Sequence, residues 1–262
     1  MNPSPHWDKG GIESLRNERR EKQAESIGAL LEPLITSMEH KVRDYPDNAP
    51  EPLKIPLEQK IGLMKSYLHA IITQQNPKYT YTAEIKKALH DIIMYLAGEG
   101  RLNPKKGILL TGNPGCGKTF IMQSLSKLLK HAPYYNEKAF LYKPASEICD
   151  EFSTIKFEKQ FEFFNNYGRR LSGWANDLEH NHLCIDDLGK EEHPRKLYPY
   201  GDKGRNPIIS IINDRYMRIK HGIITHATSN FSIEGMDFYG PTIQDRFYEM
   251  FNVIKFTNDS FR

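Results

Sequence analysis

The spacing of apolar and polar positions changes character twice along the chain. Over residues 11 to 43, Ile12, Leu15, Ile27, Leu30, Leu31, Leu34 and Ile35 recur at roughly helical spacing, with "RNERREK" on the solvated side and Pro33 as an interruption. "YPDNAPEPLKIP" follows, with four prolines in twelve residues. Each proline removes a backbone donor and fixes φ, so this stretch predicts a stiff, extended linker. The pattern divides the chain into a helical extension (1–43), a proline-rich linker (44–56) and a main domain (57–262).

Within the main domain the periods of 3.6 and 2 alternate. Helices are predicted at about 57 to 73 and 82 to 97, the second carrying Ile85, Leu89, Ile92, Ile93 and Leu96 on one face. "GILLTG" is then a short, unbroken apolar run, as expected of a strand buried on both faces. Further strands are expected at "AFLYK", "HLCID", "GIITHATSN" and "NVIKF", separated by helices at about 118 to 130, 145 to 166, 207 to 220 and 241 to 250. Strands alternating with helices predict an α/β domain, its five-stranded parallel sheet covered by helices on both faces. The aromatics of "FEKQFEFFNNYGRRLSGW" (157 to 174) fit a core helix face better than an exposed surface.

Composition narrows the classes without choosing among them. The 262 residues can bury a full α/β core with a smaller appendage. No apolar run approaches the roughly 18 to 20 residues of a membrane helix, and the start lacks the apolar stretch of a signal peptide, so a cytoplasmic protein is expected. Cys116, Cys149 and Cys184 are scattered without C-x-x-C spacing, which argues against a disulfide framework or a zinc site. A net charge of +3, from 36 basic and 33 acidic residues, is too mild to indicate nucleic-acid binding by itself.

The candidate chemistry lies in "TGNPGCGKTF". Gly112, Gly117, Lys118 and Thr119 fit G-x-x-x-x-G-K-[ST], placed after a predicted strand and opening a helix. In such a loop the backbone of Gly112, Asn113, Pro114, Gly115, Cys116, Gly117 and Phe120 wraps the phosphates of ATP, Lys118 adds a point charge and Thr119 holds Mg²⁺. "HLCIDDLG" supplies the acids, Asp186 for the metal and Asp187 to orient or deprotonate the attacking water. Asn230, ending "IITHATSN", is placed either to position that water or to cap a turn.

These elements, with the closing "DRFYEMFNVIKFTNDSFR", resemble the AAA+ ATPases of the DnaC/DnaI helicase-loader and IstB transposition-helper group over about residues 80 to 262. The resemblance implies a P-loop NTPase fold of AAA+ type, with Lys118 and Thr119 in the first Walker element, Asp186 and Asp187 in the second, and Asn230 as sensor 1. It implies an arginine finger at Arg246, with Arg215 as second choice, and a sensor 2 arginine at Arg262. Most AAA+ proteins carry Glu where Asp187 stands, so slow, assembly-gated hydrolysis is expected. No helical lid follows the last predicted strand, which suits loaders and transposition helpers.

Between the second Walker element and the next strand, Arg195, Lys196, Lys203 and Arg205 interleave with Tyr198 and Tyr200. This mixture suits single-stranded DNA, although a solvated loop has the same composition. The resemblance implies a DNA-replication ATPase that self-assembles with ATP and meets a replicative hexameric helicase through residues 1 to 56. An IstB-like helper acting with a transposase on duplex DNA has the same site. A non-hydrolysing, nucleotide-dependent adaptor is the reading from another class, although it gives Asp187, Asn230 and Arg246 no joint purpose.

Overall fold

The computed structural model describes residues 56–77, 81–130, 138–168, 182–191 and 206–256. The extension, all of the linker except Pro56, the basic loop from Arg195 to Arg205, Trp174 and Arg262 lie outside the described residues.

The chain runs α1 (Leu57–Gln75), α2 (Ala83–Leu96), β1 (Gly107–Gly112), α3 (Lys118–Lys130), β2 (Phe140–Pro144), α4 (Ala145–Thr154), α5 (Gln160–Gly168), β3 (His182–Leu188), α6 (Pro207–Tyr216), β4 (Thr225–Ser229), α7 (Pro241–Met250) and β5 (Phe251–Phe256). Local signals set several starts. Thr82 caps α2 by accepting the Ile85 N–H, and Asn206 caps α6 by accepting that of Ile208, with Pro207 in the first turn.

The five strands form one parallel sheet in the order β2-β3-β4-β1-β5. Alternation along the strands divides the core into two layers. Ile108, Leu110 and Cys184 face α1, α2 and α3, whereas Leu109, Leu183 and Ile185 face α4, α5, α6 and α7. A sheet covered on both faces explains why "GILLTG" reads as an unbroken apolar run. The α/β architecture with helices on both faces is therefore the one expected.

Two elements depart from the sequence expectation. The helix expected over 145 to 166 is broken at Ile155, whose φ of −81° and ψ of 133° are extended. The break folds α5 back so that Phe152 meets Phe163 and Phe164, each with ring centroids 5.2 Å apart. Phe163 and Tyr167 are buried, so these members of the aromatic run are core. The strand expected over 222 to 230 shortens to Thr225–Ser229, because Gly222 takes a left-handed φ of 78° at the end of a short 3-10 turn.

The surviving strand, "THATS", is central and buried throughout despite four polar side chains. His226 accepts the Ile108 N–H at Nδ1, and its Nε2 meets no partner among the described residues. Burial, then His182, Lys138 and Arg215, hold its pKa well below the usual 6.5. The folded state thus excludes a proton that the unfolded state binds. Stability is fully present above about pH 6.5 and falls as the pH drops below it, by about 1.4 kcal/mol per pH unit. Between pH 7 and pH 5, urea unfolding should show His226→Gln losing less stability than the unaltered chain. Parallel losses in the two proteins would show that His226 does not carry this term.

Candidate nucleotide site

The loop between β1 and α3 has a glycine wherever a side chain would not fit. A Cβ on Gly112 would lie 2.0 Å from the Phe256 carbonyl oxygen, and Gly115 and Gly117 have φ of 82° and 96°. Helix α3 opens at Lys118, so the amides of its first residues lack intrahelical acceptors and its positive end faces the loop. The Ile121 N–H already bonds to the Gly117 carbonyl, so an anion would meet the helix at the residues before it, beginning with Lys118 and Thr119. The Phe120 ring packs against the core. Asn113 and Pro114 are exposed, and Cys116 is buried.

Lys118 is buried and gives its three ammonium protons to the carbonyls of Gly112 (2.7 Å) and Asn113 (2.9 Å) and to Asn230 Oδ1 (2.9 Å). An approaching phosphate competes with these neutral acceptors and offers charge in return. Thr119 Oγ1 donates to Asp186 at 3.0 Å, joining the loop to the end of β3. Asp186 also accepts from Tyr142 at 2.7 Å and from Thr228 at 2.5 Å. Burial, then the bond to Asp186, raises the pKa of the Tyr142 phenol, so it stays a donor.

The structure thus brings Lys118, Thr119, Asp186 and Asn230 into one connected cluster at the carboxyl ends of three neighbouring strands, where parallel sheets bind ligands. Among the described residues no group of three His, Cys, Asp or Glu could cage a metal. Thr119 and Asp186 offer only oxygens, which fits Mg²⁺ shared with phosphate oxygens rather than a metal held by protein alone.

Asp187 is placed differently. It takes φ 58°, the one positive value of a non-glycine among the described residues, and its carboxylate pairs with Lys190 at 2.8 Å. The pair is partly solvated and worth at most about 1 kcal/mol, so it opens readily. Just beyond, Glu191 is buried. It accepts the Gly189 N–H and bonds to the Tyr239 hydroxyl, and Asn206 Nδ2 reaches it at 3.4 Å. The basic loop therefore leaves and re-enters the described fold at a single polar knot.

The two arginines proposed as fingers part company. Arg215 is enclosed in its own chain, with Nε donating to Thr225 Oγ1 (2.5 Å) and its terminal nitrogens to the carbonyls of Tyr167 and Ile224 (2.8 Å each). Burial lowers its pKa, and these contacts leave no reach toward a neighbour. This corrects the second choice for the finger. Arg246 lies partly exposed on α7, its guanidinium carbon 4.8 Å from the Tyr216 ring centroid, and Tyr216 donates to Glu249 at 2.7 Å. Thr228 and Tyr142 are the site residues that sequence reasoning missed. For Thr228 the signal was present, since hydroxyls in a central strand need buried partners; for Tyr142 no sequence pattern announced it.

No family model matches the chain, and no curated protein matches it. Among solved structures it is similar to the DnaC helicase loader, at 20% identity and TM-score 0.49, over 70% of this chain and 95% of that one. It is similar to DnaI at 18% and 0.48, over 72% and 89%. It is also similar to DnaA from Aquifex aeolicus, bound to AMPPCP, at 16% and 0.46, over 69% and 49%.

Proposed function

We propose that the chain is an ATPase that binds ATP with Mg²⁺ at Lys118, Thr119 and Asp186 and hydrolyses it slowly, in step with assembly. The observation that carries this reading is the cluster itself, in which the loop lysine meets Asn230 and the loop threonine meets Asp186. Bound Mg²⁺ would supply neutralising charge to the phosphates. Lys118 and the first amides of α3 would then hold the β- and γ-phosphates, while Asn230, freed from Lys118, would orient water. Asp187 acts once its ion pair with Lys190 opens. Its short side chain favours low turnover.

The wider role rests on the sequence resemblance. In this reading residues 1 to 56 dock onto a replicative hexameric helicase, Arg246 completes the site of a neighbouring copy, and the loop from Arg195 to Arg205 meets single-stranded DNA. Light scattering of the chain mixed with its host's helicase, ATP and Mg²⁺ tests the assignment. A complex that forms, and is lost when residues 1 to 56 are removed, is the expected result. No complex, together with stimulation by duplex DNA, would transfer the role to a transposition helper. Phosphate release no faster than that of Lys118→Ala under every condition would leave a nucleotide-dependent adaptor.

A further inference from the structure

Thr228 lies one residue before the carboxyl end of β4, fully buried, and its hydroxyl serves two partners. It donates to Asp186 Oδ1 at 2.5 Å and accepts the Asp187 N–H at 2.9 Å. One hydroxyl therefore touches both neighbouring acids, through the side chain of the first and the backbone of the second.

The ladder between β3 and β4 explains why this contact is needed. Ile185 stands opposite Ala227 and Leu188 opposite Ser229, so three steps along β3 face two along β4. Such a bulge leaves an extra residue without its ladder bond. Asp187, with its left-handed φ of 58°, lies in that interval, and Thr228 Oγ1 takes the N–H that the ladder no longer accepts. The bulge also breaks the alternation that would send adjacent side chains to opposite faces, a requirement if two consecutive acids are to serve one site.

The polarity of the contact is set as well. With a lone pair taken by the amide, the hydroxyl offers its proton to Asp186. Asp186 is thereby held from three sides by Thr119, Tyr142 and Thr228, of which only Thr228 also fixes the turn at Asp187.

We propose that Thr228 is a positioning residue that couples the two acids, setting the metal affinity of Asp186 and the backbone turn that presents Asp187. The proposal rests on the ATP and Mg²⁺ reading above. Groups that orient a metal-binding carboxylate typically contribute about 10- to 100-fold in metal affinity. A purely structural threonine would change stability without changing the metal dependence of nucleotide binding.

The test is calorimetric titration of ATP into the full chain, first in EDTA and then at stepped Mg²⁺ concentrations. Thr228→Val should raise the Mg²⁺ concentration at half-effect about 10-fold, leave the metal-free ATP affinity within about 2-fold, and be rescued by Thr228→Ser. If the valine variant does not fold, Thr228→Cys, whose thiol is a weak donor, goes through the same titration with the same expected result. Equal Mg²⁺ midpoints with ATP binding retained would overturn the coupling role alone. Weaker binding in EDTA with a lowered melting temperature and an unchanged Mg²⁺ midpoint would also overturn it, in favour of a structural threonine. Failure of the unaltered chain to bind ATP would overturn the nucleotide reading and this proposal together.

Discussion

Replacing Lys118 with alanine is expected to weaken ATP binding by about 3 kcal/mol, on the order of 100-fold, because a buried ammonium that meets phosphate is among the costliest groups to lose. The geometry adds a second expectation. In the structure Lys118 bonds only to neutral acceptors, two of them carbonyls of its own loop. Removing it should therefore cost the nucleotide-free fold little compared with the nucleotide complex. Thermal unfolding with and without ATP separates the two effects. At a hundred-fold excess over Kd, ATP should stabilise the unaltered chain by about 2.7 kcal/mol, or roughly 5–10 °C. Lys118→Ala should keep its nucleotide-free melting temperature within a few degrees and show almost no shift with ATP. A shift as large as that of the unaltered chain would mean that nucleotide binds elsewhere.

Arg215→Met is expected to have the largest effect on stability. Its guanidinium satisfies the carbonyls of Tyr167 and Ile224 and the hydroxyl of Thr225, tying α5, the approach to β4 and β4 itself to α6. Methionine fills much of the volume but offers no donor, so the two carbonyls are left buried without this partner. A loss of about 3–5 kcal/mol follows, or roughly 10 °C or more in melting temperature. The same variant distinguishes scaffold from finger. A finger would leave the melting temperature nearly unchanged and remove turnover at every site whose neighbour carries the variant, the behaviour expected instead of Arg246→Ala. An Arg215→Met protein as stable as the unaltered chain would show that these bonds are not what holds α6 in place.

Much of the architecture was legible because the chain repeats a simple physical contrast. Buried parallel strands require continuous apolar runs such as "GILLTG", and amphipathic helices require stripes such as Ile85, Leu89, Ile92 and Ile93. The two misjudged elements fail for separable reasons. Helical periodicity ran unbroken through Ile155, and the turn there brings Phe152 against the tilted rings of Phe163 and Phe164, a contact that no local pattern announces. The β4 strand was expected over "GIITHATSN", whereas the residues in the ladder are "THATS". Polar side chains enter a central strand when tertiary partners meet them there, some from more than 40 residues away, as Asp186 is for Thr228, and some from the preceding helix, as Arg215 is for Thr225.

The candidate site divides along the same line. Sequence by itself determined the glycine loop, its lysine and threonine, the adjacent acids and a terminal asparagine, because each belongs to a local pattern whose spacing reflects one turn or one strand end. Tertiary structure alone decided how they meet: that Lys118 reaches Asn230, that Asp187 sits in a bulge beside Lys190, that Arg215 is enclosed while Arg246 rests on Tyr216, and that Tyr142 and Thr228 converge on Asp186. The physical reason is one of range. Backbone conformation and helix starts follow from neighbours within a few residues, whereas the partner of a buried polar group is chosen by strand order and register, which no single segment carries.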